Sequence, residues 1–184
     1  VSRAKFTVNY PAGFMLVSSM NPCPCGYYNH PDKDCVCSPG VVQRYLNKVS
    51  GPLLDRIDIH VEVVPVDFNE LSSIRKSENS LTIRERVIAS RQIQEKRFEE
   101  KNGIFSNAQM STPMVRSVCQ IDQAGKTLLK NAMEKLSLSA RAYDRILKVA
   151  RTIADLAGKE SIEIAHLAEA IHFRSLDRED WAAS

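Results

Sequence analysis

Four cysteines crowded into one short stretch constrain the fold of this chain more than any other feature. Cys23 and Cys25 form one Cys-x-Cys pair, and Cys35 and Cys37 form a second. Nine residues separate the two pairs, and a glycine and several prolines nearby supply turns that can bring them together. Zn²⁺ prefers four tetrahedral ligands and is held by thiolates in many structural sites. The spacing therefore predicts a zinc-stapled loop over residues 22–39.

Other states of these thiols fit the same spacing. Two disulfides, reduced free thiols and an iron–sulfur cluster are the alternatives, although a bridge within one Cys-x-Cys pair would be strained. His30 lies inside the loop and is a possible substitute ligand. The fifth cysteine, Cys119, falls in an apolar helical pattern, so we expect it to be a core residue.

Composition narrows the class of protein. The 184 residues, 43% of them hydrophobic, suffice for one ordinary domain or two small ones. A net charge of +3 argues against a dedicated nucleic-acid-binding module, but it permits a local basic contact. No apolar run approaches the roughly 20 residues that span a bilayer, and no signal peptide opens the chain. We therefore expect a cytoplasmic protein without a membrane partner, where clustered cysteines indicate metal ligands before disulfides.

The first 66 residues have the pattern of a β-rich piece of an α/β domain. Apolar and polar residues alternate over 6–10 and 57–63, and 14–19 form a continuous apolar run. These patterns predict three strands, with the cysteine loop and a short helix over 41–49 between the last two. Because strand-like sequence begins at once and no initiator Met precedes it, we expect the chain to be cut from a longer polypeptide.

Residues 67–110 are predicted to connect this unit to the rest of the chain. A charged helix over about 81–100 carries only a thin apolar stripe of Ile83, Val87 and Phe98. Such a helix is either a solvated connector or a basic face that contacts DNA or a partner.

Residues 111–184 have the pattern of a small all-α domain. Ser111 and Ser139 are predicted N-caps, and Pro113 suits a first helical turn. Gly158 is placed to end the second long helix, and a last helix is expected over about 163–175.

The sequence Gly125-Lys126-Thr127 superficially resembles the end of a phosphate-binding loop. The full pattern G-x-x-x-x-G-K-[ST] requires glycine where this chain has Gln120. No strand precedes the segment, and apolar residues continue a helical face after it. We therefore reject a P-loop here, and we do not expect the chain to hydrolyse ATP by itself.

Three polar residues stand where they could act on a phosphate. Asn21 ends the predicted strand at 14–19, Arg56 precedes the predicted strand at 57–63, and Arg141 lies in a first helical turn. A loop arginine can act as an arginine finger, and a helix N-terminus favours anions. The alternatives are structural: Asn21 satisfied by its own turn, Arg56 paired with a neighbouring aspartate, and Arg141 simply exposed.

Taken in order, these elements resemble the magnesium-chelatase-related AAA+ ATPases of bacteria, the YifB/ComM group, over essentially the whole chain. Residues 1–12 are similar to the hairpin and strand before that family's sensor-1 strand. The resemblance implies that Asn21 is the sensor-1 Asn, which orients the attacking water or contacts the γ-phosphate. It likewise implies that Arg56, in Leu-Leu-Asp-Arg-Ile-Asp, is the arginine finger. Arg141, in Leu-Ser-Ala-Arg-Ala-Tyr-Asp-Arg, matches the sensor-2 Arg of the helical lid.

The resemblance implies a fold and a function as well. The fold would be the C-terminal part of an AAA+ α/β core (1–66), then an all-α lid of the magnesium-chelatase type (111–184). The complete protein would be a ring-forming, hexameric ATPase that uses ATP with Mg²⁺ and acts on DNA, with branch migration in competence as its task. The Cys-Pro-Cys-Gly loop resembles the YifB/ComM group rather than the true chelatase subunit. The alternatives are the motor subunit of a chelatase complex and a zinc-stapled interaction module without a motor role.

Overall fold

The computed structural model describes residues 2–3, 5–66 and 77–174. Its only strands in these ranges, β1 (Ser2–Arg3) and β2 (Phe6–Thr7), form a two-stranded antiparallel hairpin. Residues 1, 4, 67–76 and 175–184, which belong to the predicted domains, lie outside the described residues. No helix in the described part of the chain is long and apolar enough to cross a membrane.

The strands predicted for 14–19 and 57–63 are wrong for this structure. Both segments lack regular structure, and apolar side chains such as Met15 and Val63, each 87% exposed, face solvent. A strand is stable only when a neighbouring strand satisfies its backbone groups, and neither segment has such a neighbour among the described residues. The predicted AAA+ α/β core is accordingly not confirmed by the described residues, and Asn21 does not stand at the tip of a strand.

The cysteine loop leads into two short helices. Helix α1 spans Pro39–Leu46 and α2 spans Gly51–Leu54, and each begins after a serine with proline in its first turn. Val42 and Leu46 are the buried residues of α1, and both pack beside the cysteines. The predicted helix over 41–49 is confirmed with an earlier start and an earlier end.

Residues 80–172 form a helical bundle, α3 to α7 with one 3-10 turn. These elements are α3 (Ser80–Arg97), the 3-10 turn (Asn107–Gln109), α4 (Thr112–Val118), α5 (Gln123–Lys135), α6 (Ala140–Leu156) and α7 (Ile164–His172). Helix α6 is central, since α3, α4, α7 and the 3-10 turn all pack against it. Its buried face, with Ile146, Ala150 and Ala154 fully enclosed, follows the predicted helical period.

Local signals fix the ends of α6. The Ser139 hydroxyl accepts a hydrogen bond from the Ala142 N–H at 3.2 Å, as an N-cap does. Gly158 adopts a positive φ of 66°, and the N–H groups of Gly158 and Lys159 donate to the carbonyls of Asp155 and Ala154. This is the Schellman arrangement that glycine favours. Both predicted ends of the helix are confirmed.

The buried residues within helix α3 are polar, and Phe98 at its C-cap adds an apolar contact with the core of the bundle. Of the predicted stripe, Phe98 is buried, but Ile83 and Val87 are 41% and 45% exposed. Ser90 and Gln94 are buried instead, because the Gln94 side chain accepts a hydrogen bond from the Asn107 N–H at 3.0 Å. The stripe prediction was therefore wrong for the first half of the helix.

A buried charge network holds α3 to the end of α6. Arg97 donates to both carboxylate oxygens of the fully buried Asp155. Arg151 also donates to Asp155, and its outer nitrogens donate to the backbone oxygens of Lys159 and Glu160. Since a buried carboxylate is costly unless it is paired and hydrogen-bonded, this network specifies how α3 and α6 meet.

Gly125 lies inside a helix, as the rejection of a P-loop requires. Asp122 caps α5 by accepting a hydrogen bond from the Gly125 N–H at 2.7 Å. A Cβ at position 125 would lie 3.3 Å from the Ile121 side chain and 3.5 Å from that of Leu167. The glycine therefore serves close packing between α5 and α7.

Candidate metal centre and arginine loop

The four cysteine sulfurs converge on one point. Sγ of Cys23 lies 3.3 Å from Sγ of Cys25 and 3.7 Å from that of Cys35, and the last two are 3.5 Å apart. All four sulfurs, including that of Cys37, lie within 4.8 Å of one another, and none forms a disulfide. Four thiolates at about 2.3 Å from a tetrahedral ion would be about 3.8 Å apart. The cluster can therefore bind a metal ion such as zinc.

Tight turns shape this cluster. The Gly26 N–H donates to the Cys23 carbonyl at 3.0 Å, and Gly26 has a φ of 84°, which glycine adopts without strain. Cys23 is fully buried, and the cluster packs on Val42 and Leu46 of α1. A metal here would staple the loop to α1.

The thiols differ in acidity because their surroundings differ. The backbone hydrogen bond from Tyr27 is the main factor that lowers the pKa of Cys25 to about 6. For Cys35, the backbone hydrogen bond from Cys37 acts to lower the pKa, but burial and the adjacent sulfurs outweigh it and raise the pKa to about 12. Crowded thiols that cannot all ionise alone are the environment in which a bound cation stabilises thiolates most.

Two predicted residues lie beside the cluster without joining it. Nδ1 of His30 accepts a hydrogen bond from the Asp32 N–H at 3.0 Å, and His30 is not among the four residues that converge. The substitute-ligand role is therefore not supported. Asn21 is exposed, with its Nδ2 4.0 Å from where a Cβ on Gly26 would lie.

The arginine loop, residues 55–58, follows α2 and presents Arg56 to solvent. The Arg56 guanidinium donates to the Pro52 carbonyl at 2.7 Å. Its neighbours Asp55 and Asp58 are hydrogen-bonded elsewhere: Asp55 accepts from the Ser139 hydroxyl at 2.7 Å, and Asp58 accepts from Arg145. The local ion pair that sequence reasoning left open for Arg56 is thus not formed in the structure.

The structure brings the Arg56 and Arg141 segments together. Ser139, which contacts Asp55, is the N-cap of α6, and Arg141 is exposed in the first turn of the same helix. The arginine loop therefore meets the N-terminal part of α6, which carries Arg141. Among the described residues, no recorded contact links Asn21 to this cluster.

Sequence reasoning missed the residues that hold the arginine loop. Arg174 is fully buried just after α7 and donates to the backbone oxygens of Ile57 and Asp55. Arg145 pairs with Asp58 across 87 positions of sequence. Nothing in the sequence indicated which residue either arginine would bind, because the partners are remote in sequence.

Two family profiles match this chain. The profile described as magnesium chelatase, subunit ChlI C-terminal, matches residues 77–174, and that described as magnesium chelatase, subunit ChlI, matches residues 1–71. The chain therefore belongs to the magnesium-chelatase-related family, in its YifB/ComM group, a family related to AAA+ ATPases.

Several curated proteins are similar along nearly the whole chain. The uncharacterized protein YifB of Escherichia coli K12 is 39% identical over 181 residues, which is 97% of this chain and 34% of YifB. The competence protein ComM of Haemophilus influenzae is 40% identical over 179 residues, again 97% of this chain and 34% of the relative. The uncharacterized protein Rv2897c of Mycobacterium tuberculosis H37Rv is 38% identical over 165 residues, which is 90% of this chain and 32% of the relative. The chain thus spans about a third of the length of these relatives.

Proposed function

We propose that this chain is the C-terminal part of a ring-forming AAA+ ATPase that couples ATP hydrolysis to DNA remodelling. The P-loop and the Mg²⁺-binding acidic motif would come from the rest of the complete protein, because the pattern G-x-x-x-x-G-K-[ST] does not occur in this sequence. The chain would act as part of a homo-oligomeric ring, with six subunits as the expected number. Alone, it would not turn over ATP.

The observation that supports this proposal is that the Arg56 guanidinium is exposed while the neighbouring aspartates bind other residues. Both aspartates that flank it are bound to the helical bundle, and among the described residues the exposed guanidinium has one hydrogen bond, to the Pro52 carbonyl. Such an arginine can be withdrawn from its own chain at small cost and presented to a neighbour. On a γ-phosphate it would stabilise the charge that develops during phosphoryl transfer.

Arg141 and Asn21 complete the proposed nucleotide contacts. Arg141 lies in the first turn of α6, where free backbone N–H groups and the helix dipole add to its own charge. We assign it the sensor-2 role toward the nucleotide. Asn21 would orient the attacking water, the sensor-1 role that the family resemblance implies.

The cysteine cluster would hold Zn²⁺ as a structural ion. Cys23, Cys25, Cys35 and Cys37 supply four sulfur ligands, and a site with four protein ligands leaves no position for a substrate. A bound zinc ion would fix the loop that lies between Asn21 and Arg56 along the chain. Its contribution is therefore to geometry rather than to chemistry.

DNA dependence tests the proposed function. In the complete protein, ATP turnover is expected to rise several-fold when branched or single-stranded DNA is added, because a DNA-remodelling motor couples hydrolysis to its substrate. A steady-state ATPase assay with branched, single-stranded and blunt duplex DNA at constant salt measures this, since nonspecific DNA binding changes steeply with salt.

The same assay separates the competing functions. The family profiles favour a chelatase motor as the second candidate, which predicts turnover that ignores every DNA and responds to a porphyrin-chelatase partner. A zinc-stapled interaction module predicts no ATP turnover at all. Either result would contradict the DNA-remodelling proposal.

A further inference from the structure

We propose that Arg174 is a positioning residue that ties the arginine loop to the helical bundle and so sets the direction in which Arg56 points. The inference rests on the proposed role of Arg56 as an arginine finger. It identifies one residue, Arg174, through which a movement of the helical bundle would change the position of Arg56.

Arg174 holds the loop by its backbone on both sides of Arg56. One guanidinium nitrogen donates to the Ile57 carbonyl, and the other donates to the Asp55 carbonyl at 3.3 Å. The second nitrogen also lies 4.0 Å from the Asp55 carboxylate. Since these carbonyls flank Arg56, their positions fix the backbone from which its side chain projects.

The chemistry of this contact requires arginine. Arg174 is fully buried, and its planar fork presents two donors in fixed directions. A lysine at this position would keep the charge, but a single ammonium cannot reproduce the same fork between two carbonyls. This position therefore requires the side-chain geometry of arginine as well as its charge.

Further contacts bring the loop to the same bundle from other elements. Ser139, the N-cap of α6, bonds to Asp55, and Arg145, six residues further along the chain, bonds to Asp58. Beyond the loop, the His60 N–H donates to the Phe173 carbonyl at 2.8 Å, directly beside Arg174. A shift of α6 or of the end of α7 would consequently move the backbone around Arg56.

On its N-terminal side the loop is hydrogen-bonded to α2, a helix of four residues. The N–H groups of Asp55, Arg56 and Ile57 donate to carbonyls of that helix at 2.8, 3.0 and 3.0 Å, and the Arg56 side chain donates to the Pro52 carbonyl. After Ile57 its partners are residues of the bundle. We therefore assign to the contacts of Arg174 the mechanical link between bundle position and finger position.

The test replaces Arg174 by lysine in the complete protein. Arg174→Lys is expected to lower kcat for ATP by on the order of 10- to 100-fold, the loss that small misplacement of a catalytic group causes. KM for ATP should stay within about twofold and the assembly state should be unchanged, because Arg174→Lys alters neither Asn21 nor Arg141, the other proposed nucleotide contacts. Arg116→Lys, an exposed arginine on α4, is the matched control and should leave both parameters unchanged.

A double variant shows whether Arg174 acts through Arg56. In the Arg56→Ala background, adding Arg174→Lys should cause no further loss of kcat, since the positioned group is gone. A loss equal to that in the single variant, or a single variant as active as the Arg116→Lys control, would overturn the inference. If Arg56→Ala alone left turnover unchanged, the proposed function itself would fail.

A milder variant covers the case in which Arg174→Lys does not fold. Asp58→Asn removes the charge that pairs with Arg145, at a side chain that is 57% exposed. It should lower kcat by a smaller factor with the same unchanged KM, and its effect should likewise vanish in the Arg56→Ala background. Wild-type kcat in Asp58→Asn would contradict the link.

Discussion

Replacing Arg56 by alanine is expected to lower kcat for ATP in the complete protein by about a thousandfold, the lower end of what an arginine finger contributes. The guanidinium makes one contact with its own chain, to the Pro52 carbonyl, so its loss should leave folding and zinc content intact. Steady-state ATPase measurements, with thermal unfolding and metal analysis on the same samples, would measure all three properties.

The matched control for this prediction is Arg116→Ala. Arg116 is an exposed arginine like Arg56, but it lies in the last turn of α4 rather than in the arginine loop. Wild-type turnover is expected there. Unchanged turnover in Arg56→Ala would remove the finger assignment, and an equal loss in both variants would show a nonspecific charge effect.

Replacing Cys23 by alanine is expected to reduce bound zinc from about one ion per chain to nearly none. Structural zinc sites contribute apparent free energies of about 10–16 kcal/mol, which a site missing one thiolate cannot retain. Cys23 is the fully buried member of the four, and its sulfur contacts those of Cys25 and Cys35. Metal analysis of protein purified under reducing conditions, with hydrogen exchange across residues 21–46, measures the loss and its structural consequence.

Cys119→Ala is the control for the zinc prediction. This cysteine is also buried, and burial raises its pKa to about 11, but it lies in the core of the helical bundle. Its replacement should leave zinc content at the wild-type value. Zinc retained in Cys23→Ala, or wild-type protein that holds iron or two disulfides in place of zinc, would contradict the ligand assignment.

The helical part of the fold was predictable because its signals are local. The N-cap at Ser139 and the positive-φ glycine at Gly158 act within one turn of chain, so the sequence alone places both ends of α6. The convergence of the four cysteines was equally predictable, since two closely spaced pairs joined by a short loop can bind one ion without contacts from the rest of the fold.

Local sequence could not show in the same way whether the predicted strands form. The alternating apolar residues at 57–63 indicate only that the segment is able to form a strand. A sheet also requires a neighbouring strand, and the described residues contain none for this segment. The prediction that this segment pairs with other strands was therefore wrong, although its apolar alternation is real. Asn21 lost its predicted place at a strand end for the same reason, and its sensor role stays a prediction.

The arginine loop was predictable from the sequence only in part. Its sequence singled out Arg56, but spacing alone could not show whether Asp55 and Asp58 would pair with it. Those aspartates are bound by Ser139 and Arg145, which lie more than 80 positions away along the chain. Long-range pairs of this kind depend on the packed bundle, so only the structure separates an engaged arginine from an available one.

Mixed rings test most directly whether this chain completes a nucleotide site held by another subunit. Complete protein carrying Arg56→Ala would be combined with complete protein whose P-loop lysine is replaced, each alone being inactive. Mixing is expected to restore part of the ATP turnover, because some interfaces then join an intact P-loop to an intact Arg56. No recovery in rings shown to contain both subunits would contradict the account.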